Sequence, residues 1–186
     1  MGNDGEQAMA AIDARELRHA LGRFATGITV VTTLTPAGKR EGLTANSFAA
    51  LSLEPPLVLW SLNRKAKSRL SFEQSPRFAI NVLAAHQRHI SNHFASPHPD
   101  KFEGIACEPG LGGCPMLPEC LALFECRLER TQAGGDHLLF IGQVQRFRWR
   151  AGEPLVFSAS HYCIAAALPD DLEGEPSPSD FSDLLL

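Results

Sequence analysis

The chain has 186 residues, 44% of them hydrophobic, and a formal net charge of −4. That length and composition allow one globular domain with a sizeable core, and the chain is too short for two domains to be the default. Residues 169–186 contain six acids and no lysine or arginine, so the rest of the chain is nearly neutral, with 17 bases against 15 acids. This balance does not favour a nucleic acid or an anionic membrane as a partner.

Three segments are predicted along the chain: a flexible leader at 1–12, a single domain at 13–168, and the acidic tail at 169–186. We expect the tail to be disordered or docked on a partner subunit. The N-terminus has no secretory signal pattern, and no apolar run approaches the ~20 residues that span a bilayer. A cytoplasmic protein is therefore expected. The five cysteines are odd in number and form no Cys-x-x-Cys pair, which predicts free thiols.

A helix is predicted after residue 12, because apolar side chains recur at the spacing of one helical stripe. They are Leu17, Ala20, Leu21, Phe24 and Ala25. Asp13 is suited to cap the start of this helix and Gly27 to end it. The β-branched run at 27–35 predicts a strand, and the turn at 36–40 returns the chain as a hairpin.

The stretch 42–68 carries the clearest indication of a ligand site. It opens with Thr44, Asn46 and Ser47, whose hydroxyl, amide and backbone N–H groups suit a planar polar ring or an anion. The same residue types also occur at an ordinary strand end, so from composition alone both interpretations stay open.

The second half of this stretch suits a phosphate. The pair Pro55-Pro56 interrupts the chain, because proline has no N–H for a sheet ladder. An apolar strand is predicted at 57–60. It leads into 61–68, where a hydroxyl, an amide and three cations precede a predicted helix start. A solvated basic face is the alternative interpretation.

The remaining chain alternates strands with short helices. The predicted elements are a helix to 75, a buried strand at 77–83, a helix at 85–95, a loop at 96–119, and strands at 121–130, 137–150 and 154–163. In the strand at 121–130, Glu125, Arg127 and Glu129 are expected to face away from the core. About six strands with a few helices predict a mainly β, antiparallel barrel, because closure removes exposed edges.

Two histidine patterns are candidates for chemistry. His86, His89 and His93 fall on one face of a predicted helix, but no second element supplies further ligands, so a polar face is favoured over a metal site. Asp136 and His137 follow a glycine pair at the start of a strand, where the carboxylate would fix the tautomer of the imidazole. An ordinary turn aspartate and strand histidine remain the alternative.

No Rossmann fingerprint, phosphate-binding P-loop, zinc-protease motif or nucleophile elbow occurs in the chain. Several segments instead resemble the flavin reductase family of FMN-binding split-barrel proteins. They are residues 42–48 with 52–58, 77–83, 94–95 with 100–102, and 133–144. These segments occur in the family's order and lie between about residues 17 and 162.

The resemblance implies a six-stranded antiparallel Greek-key split β-barrel with a few short helices, assembled as a homodimer with flavin near the subunit interface. It implies hydride transfer from NADH or NADPH to FMN or FAD, with the reduced flavin supplied to a partner monooxygenase. An electron carrier or sensor that keeps its flavin bound, without turnover of free flavin, is the alternative. A metal site is not implied.

The resemblance also assigns site residues. By this resemblance, the flavin ring and ribityl chain contact Thr44, Ala45, Asn46 and Ser47, and the same site is lined by Ser61, Leu62 and Asn63. The phosphate is bound by Lys67 and Ser68, and the ring is bordered by Phe102. The nicotinamide side is formed by His137 and Tyr162. No side chain is expected to be an essential acid or base, and His137 is the catalytic candidate through positioning and electrostatics. Where many relatives have Arg-Gly-Arg-Tyr near the last strand, this chain has Ala159-Ser160-His161-Tyr162.

Overall fold

The computed structural model describes residues 12–166, and strands make up most of their regular structure. All ladders between the named strands are antiparallel and the helices are short, which confirms the predicted mainly β fold class. The predicted tail at 169–186, and all but Ile12 of the predicted leader, lie outside the described residues.

The elements follow one another in a regular order. They are α1 (Ala14–Leu21), β1 (Thr26–Gly27), β2 (Thr29–Leu34), β3 (Arg40–Ala45), β4 (Ala49–Leu53), β5 (Pro56–Asn63), α2 (Arg69–Gln74), β6 (Arg77–Val82), a 3-10 turn (Ala85–Gln87), α3 (Arg88–Ala95), β7 (Glu108–Pro109), a second 3-10 turn (Leu111–Gly113), β8 (Pro115–Met116), β9 (Ala122–Gly134), β10 (His137–Trp149), β11 (Leu155–Ser158) and β12 (His161–Ile164).

The main sheet has seven strands in the order β3-β2-β6-β9-β10-β5-β4. Its long central hairpin, β9 and β10, turns through Gly135, whose φ of +63° favours glycine. A smaller sheet has the order β1-β11-β12. The edge strands β3 and β4 are consecutive in sequence, but no backbone ladder joins them among residues 12–166. Closure of the barrel therefore stays a prediction.

Two apolar clusters hold the sheet. In one, Trp60 stacks on Phe140 with ring centroids 4.5 Å apart, and Phe72 and Phe78 meet the indole edge-on. The other cluster packs α3 and the loop after it against the opposite face, with Phe94 completely buried. Each buried side chain of this size stabilises the fold by about 1.5–3 kcal/mol, so the two clusters dominate the packing energy.

Several predicted boundaries differ from the structure. The strand predicted at 121–130 continues to Gly134, and the loop predicted at 96–119 contains the short strands β7 and β8. The first helix ends at Leu21 and not near Gly27, because the N–H of Gly22 caps carbonyls of the last turn. The predicted last strand is a hairpin, β11 and β12, turned by Ala159 and Ser160 at φ of 47° and 67°. Alanine and serine give no turn signal of the kind that glycine and asparagine give, so the sequence did not mark this reversal.

Glu125 was expected to face away from the core, but only 6% of it is exposed. Its carboxylate accepts hydrogen bonds from Arg146 Nε at 2.5 Å, Arg146 Nη2 at 2.9 Å and the Leu111 amide at 2.5 Å. Burial alone would raise the pKa of Glu125, but the hydrogen bonds and the charge of Arg146 outweigh it, so the pKa lies below its ordinary value. This carboxylate fastens the loop before β8 to the sheet.

Replacing Glu125 by glutamine should lower the free energy of unfolding by about 1.5–3 kcal/mol at neutral pH. Because folding lowers the pKa of this carboxyl, its contribution is present above the ordinary glutamate pKa of about 4.3 and is lost as the pH falls through the folded value. Urea unfolding between about pH 6 and pH 3 should show the two proteins converging in acid. Glu129→Gln, which removes an exposed partner of Arg127, is the control. A gap that stays constant over this range would contradict the charge argument.

All five cysteines are free, as predicted. Burial raises the pKa of Cys120 and of Cys126 to about 12, so neither thiol is a nucleophile at neutral pH. Over residues 12–166 the structure contains no helix with the length and apolar character needed to cross a membrane.

Candidate active-site cleft

A cleft of about 840 Å³ opens between the β2–β3 hairpin, the segment after β5 and the loop after α3. Its volume lies within the range of pockets that hold small ligands. The lining residues are 39–44 from the hairpin, Leu62 and 66–68 from the end of β5 onward, and 94–101 from α3 and its loop. Three separate parts of the chain therefore meet at this cleft.

Cationic side chains outnumber carboxylates in the cleft. Lys67 lies beside Ser68 in the segment after β5, while Lys39, Arg40 and Lys101 come from the other two parts of the lining. The two carboxylates are Glu41 and Asp100. Lys39 Nζ and Glu41 Oε1 are 2.5 Å apart, so this carboxylate partly offsets the local positive charge. The excess positive charge suits a phosphorylated ligand.

Lys101 lines the cleft and is partly buried. Burial lowers the pKa of its ammonium group, and the nearby carboxylate of Glu41 partly opposes this effect. Its Nζ donates to the carbonyl of Phe94 at 2.7 Å, the second-last residue of α3. The cation is therefore held at the helix C-terminus, where the helix dipole favours positive charge.

The close packing beneath the cleft explains why position 42 is a glycine. A Cβ at Gly42 would lie 2.7 Å from Phe94 Cε1 and 3.1 Å from Phe102 Cζ, so any side chain would displace these rings. Phe94 and Phe102 meet edge to face, and the guanidinium of Arg40 lies 5.0 Å from the Phe102 ring centroid. Gly42 lets β3 approach the aromatic pair closely.

A hydrogen-bond chain links the end of β3 to β12 through α3. Thr44 Oγ1 donates to the Ser91 carbonyl at 2.6 Å. Ser91 Oγ and Tyr162 Oη are 2.9 Å apart, and Tyr162 Oη donates to Asn92 Oδ1 at 2.9 Å. Because Tyr162 uses its proton on Asn92, its oxygen accepts from Ser91. The β12 tyrosine and the β3 threonine are thus fixed to one helix.

The segment between β3 and β4 is tied to β5 by one hydroxyl. Ser47 Oγ donates to the Ser61 carbonyl at 3.1 Å and accepts from the Ser61 N–H at 3.0 Å. Asn46 is exposed beside it, whereas Ala45 is buried and its carbonyl accepts from Thr29 Oγ1 at 2.8 Å. Because β4 pairs with β5 at Ala49 and Leu59, the Ser47 hydroxyl extends this strand pairing in the same register.

His137 begins β10 directly opposite Asn63, the last residue of β5. Its Nδ1 lies 2.7 Å from Asp136 Oδ1. Since a carboxylate only accepts, Nδ1 carries the proton of this hydrogen bond, and in the neutral imidazole Nε2 is the nitrogen with the lone pair. The hydrogen bond and charge of His137 lower the pKa of Asp136. Leu62, one residue before Asn63, lines the cleft, whereas His137 is not among the lining residues.

Residues 21–166 match the family model of the flavin reductase like domain, which covers all of the elements above except most of α1. This chain belongs to the flavin reductase family. The predicted family is thereby confirmed.

Relatives of this flavin reductase-like chain carry consistent descriptions. An FMN reductase (NADH), SmoA of Agrobacterium fabrum (strain C58 / ATCC 33970), is 42% identical over 150 residues, covering 81% of this chain and 85% of that protein. The reductase subunit HsaB of a flavin-dependent monooxygenase of Rhodococcus jostii (strain RHA1) is 40% identical over 178 residues, covering 91% of each. A longer protein of Rhizobium meliloti (strain 1021), named "Probable flavin reductase", is 45% identical over 135 residues, and the match covers 73% of this chain and 43% of that protein.

A solved structure agrees with these relatives. The NADH:FAD oxidoreductase SgcE6 of Streptomyces globisporus C-1027, in complex with NAD and FAD fragments, superposes with a TM-score of 0.78 at 37% identity. The match covers 86% of this chain and 95% of that one.

The predicted site residues of this flavin reductase-like chain fall into three groups. Thr44, Leu62, Lys67 and Ser68 line the cleft. Asn46, Ser47, Ser61, Asn63 and His137 lie at or near the adjoining ends of β3, β5 and β10. Ala45, Phe102 and Tyr162 pack behind or beside the cleft, and only Tyr162 of these three has a polar side chain in hydrogen-bond contact. Their contacts with a ligand stay predictions.

Several lining residues were not predicted from the sequence. Lys39, Arg40 and Glu41 form a hairpin turn and strand start. Residues 96–101 were predicted as loop, and residues 100 and 101 were included in a family-like segment without a predicted site role. The basic pair Lys39-Arg40, which comes shortly before the stretch 42–68, was the one local signal that the hairpin contributes to the cleft.

The histidines at 86, 89 and 93 have separate partners. His86 Nε2 lies 3.0 Å from Glu119, His89 Nδ1 lies 3.2 Å from the His86 carbonyl, and His93 Nε2 lies 2.9 Å from the Lys101 carbonyl. In the part of the chain that the structure describes, no three histidine, cysteine or acidic side chains are grouped to hold a metal ion.

Proposed function

We propose that this chain is a cytoplasmic NAD(P)H-dependent flavin reductase that transfers hydride from a nicotinamide to FMN or FAD and supplies reduced flavin to a partner monooxygenase. The observation that carries the proposal is the cationic cleft, whose walls are formed by segments typical of the family. The names of relatives support it, since they include an NADH-dependent FMN reductase and a monooxygenase reductase subunit. Five free thiols are consistent with a reducing compartment.

The donor groups of the cleft fit a phosphorylated flavin. Lys67 and Ser68 would bind the phosphate, because an ammonium and a hydroxyl give it charge-assisted hydrogen bonds. Thr44 and Leu62 would border the ring system with polar and apolar surface respectively. When both rings are bound, hydride passes from the nicotinamide to the flavin, and this chemistry belongs to the two nucleotides.

The protein's own contribution is positioning. The Thr44–Ser91–Tyr162 chain keeps β3 and β12 at fixed positions on α3, and Ser47 keeps the polar segment on β5. Asp136 holds the tautomer of His137, so that Nε2 is available to a donor bound beside it. Rigid placement of two reactants lowers the entropic barrier of their reaction, so no acid or base is required.

Donor and flavin preference can be measured by steady-state oxidation of NADH or NADPH with FMN, FAD or riboflavin added in excess over enzyme. We expect the rate of NADH or NADPH oxidation to depend on the concentration of added flavin. A protein that stays yellow through dialysis and shows no dependence on added flavin would instead be a carrier that keeps its flavin bound.

We also propose a homodimer, supported by an apolar surface at one end of the main sheet. Phe124 packs between Phe48 and Phe147, at centroid distances of 5.6 and 6.4 Å. Phe147 is 63% exposed, and Trp149 beyond it is 75% exposed. Aromatic side chains grouped in this way are typical of the buried centre of an interface. Phe48 directly follows Ser47, so this surface is continuous with the predicted flavin segment.

Replacing Phe147 by aspartate should raise the dimer dissociation constant about 30-fold or more, since a central aromatic contributes ~2 kcal/mol or more to such an interface. Light scattering during size-exclusion chromatography over a dilution series measures the change. Leu70→Asp is the matched control, because Leu70 is 53% exposed on α2 and outside the aromatic group. An unchanged dissociation constant in the Phe147 variant would place the interface elsewhere.

A further inference from the structure

The first helix has no buried face. All of α1 is exposed, including Leu17 at 45% and Leu21 at 65%, and the apolar neighbours Ile12 and Phe24 are 69% and 78% exposed. We call these four side chains the α1 face. An eight-residue helix without tertiary packing is marginal in water, because nucleation costs more than so few hydrogen bonds return. A helix at this site therefore implies that something covers the α1 face.

The charges around α1 indicate an acidic occupant. Arg15 has Glu16 3.9 Å away, and Asp13 is engaged in capping the helix N-terminus. Arg18 and Arg23 have no carboxylate within 4 Å among residues 12–166. An apolar stripe bordered by two arginines that lack a carboxylate partner within residues 12–166 suits a segment that is both apolar and acidic.

Residues 167–186 have that composition. They carry six acids and no lysine or arginine. Their apolar residues include Leu168, Leu172, Phe181 and the final three leucines. The other stretch outside the described residues, 1–11, contains no leucine, isoleucine or phenylalanine and only two acids. The acidic C-terminal segment is thus the better match to the α1 face.

The chain leaves the fold close to α1. The Ala159 N–H donates to the Gly22 carbonyl at 2.7 Å, which fastens the β11–β12 turn to the end of the helix. The four-residue strand β12 then carries the chain only ~10 Å before it ends at Ile164. From there to Phe181 the chain can extend up to ~55 Å, far more than the length of α1 requires.

We propose that residues 168–186 cover the α1 face of the same chain, with their apolar side chains on the stripe and their acids paired with Arg18 and Arg23. This arrangement goes beyond the proposed reductase activity and does not depend on it.

Amide hydrogen exchange of the full-length protein tests the proposal by charge reversal. Arg18→Glu with Arg23→Glu, and separately Asp180→Lys with Asp183→Lys, should each speed exchange of the α1 amides about 10-fold. Combining the four substitutions should restore most of the protection, because each pair then has opposite charges again. The β2 amides report the global fold and should stay protected in every variant. Arg130→Glu, which reverses an exposed charge on β9, should leave α1 unchanged.

Three results would overturn the proposal. If neither pair of substitutions changes the exchange rate of the α1 amides, the two segments do not meet. The same conclusion follows if the increases in exchange rate simply add in the variant with all four substitutions. Protection of α1 that is lost on dilution would identify a second copy of the chain as the cover. The unmutated protein gives an independent check, because raising the salt concentration from about 0.05 to 0.5 M should weaken α1 protection by screening these ion pairs.

Discussion

Replacing Lys67 by alanine should raise the FMN dissociation constant about 10- to 100-fold while riboflavin binding stays nearly unchanged. Lys67 is an exposed cation that lines the cleft beside Ser68, so its ammonium is available to a phosphate. A hydrogen bond to a charged group contributes about 1.5–3 kcal/mol, which corresponds to this range. Quenching of flavin fluorescence on titration with protein measures both constants.

Lys65→Ala is the matched control for this prediction. Lys65 is exposed in the same segment, but it is not a cleft-lining residue. Its removal should change FMN binding much less than removal of Lys67. Equal weakening of FMN and riboflavin by the Lys67 variant would mean that Lys67 does not contact the phosphate.

Replacing His137 by alanine should lower kcat/KM for the nicotinamide donor about 10- to 100-fold, with a much smaller effect on flavin binding. The reason is geometric: Asp136 fixes the imidazole at the junction of β5 and β10, and its Nε2 has no hydrogen-bond partner among residues 12–166. Stopped-flow reduction of flavin at varied donor concentration separates donor binding from the hydride step.

The Asp136→Asn variant shows whether the tautomer matters. An amide accepts the Nδ1 proton more weakly than a carboxylate, so this variant should lie between wild type and His137→Ala. His89→Ala, which removes an exposed imidazole bonded to its own helix, should behave like wild type. Parallel losses of flavin binding and donor turnover in the His137 variant would assign His137 to the flavin side.

Most helices and strands were predicted from the sequence because their apolar residues recur at regular spacing within each element. The Gly134-Gly135 turn and the alternating residues around it marked the β9–β10 hairpin. The reversal at Ala159 and Ser160 was missed because neither residue favours a positive φ. Glu125 was placed on the wrong side because its burial depends on Arg146, 21 residues away, and on the amide of Leu111.

The site was predicted in part for similar reasons. Lys67 and Ser68 stood out as a cation and a hydroxyl ahead of a helix, and the structure places both in the cleft. Lys101 and Arg40 were not singled out, because their contribution arises only when the loop after α3 meets the β2–β3 hairpin. No local pattern of residues encodes such a meeting of distant segments.

Reductase turnover of free flavin can be measured by anaerobic oxidation of NADH and NADPH, followed by absorbance, with a catalytic amount of protein and a large excess of free FMN or FAD. Because oxygen is absent, each reduced flavin stays bleached and turnover can be counted. If the chain is a reductase that uses flavin as a substrate, many equivalents of flavin should be bleached per protein chain. Bleaching of one equivalent or none would contradict reductase turnover of free flavin.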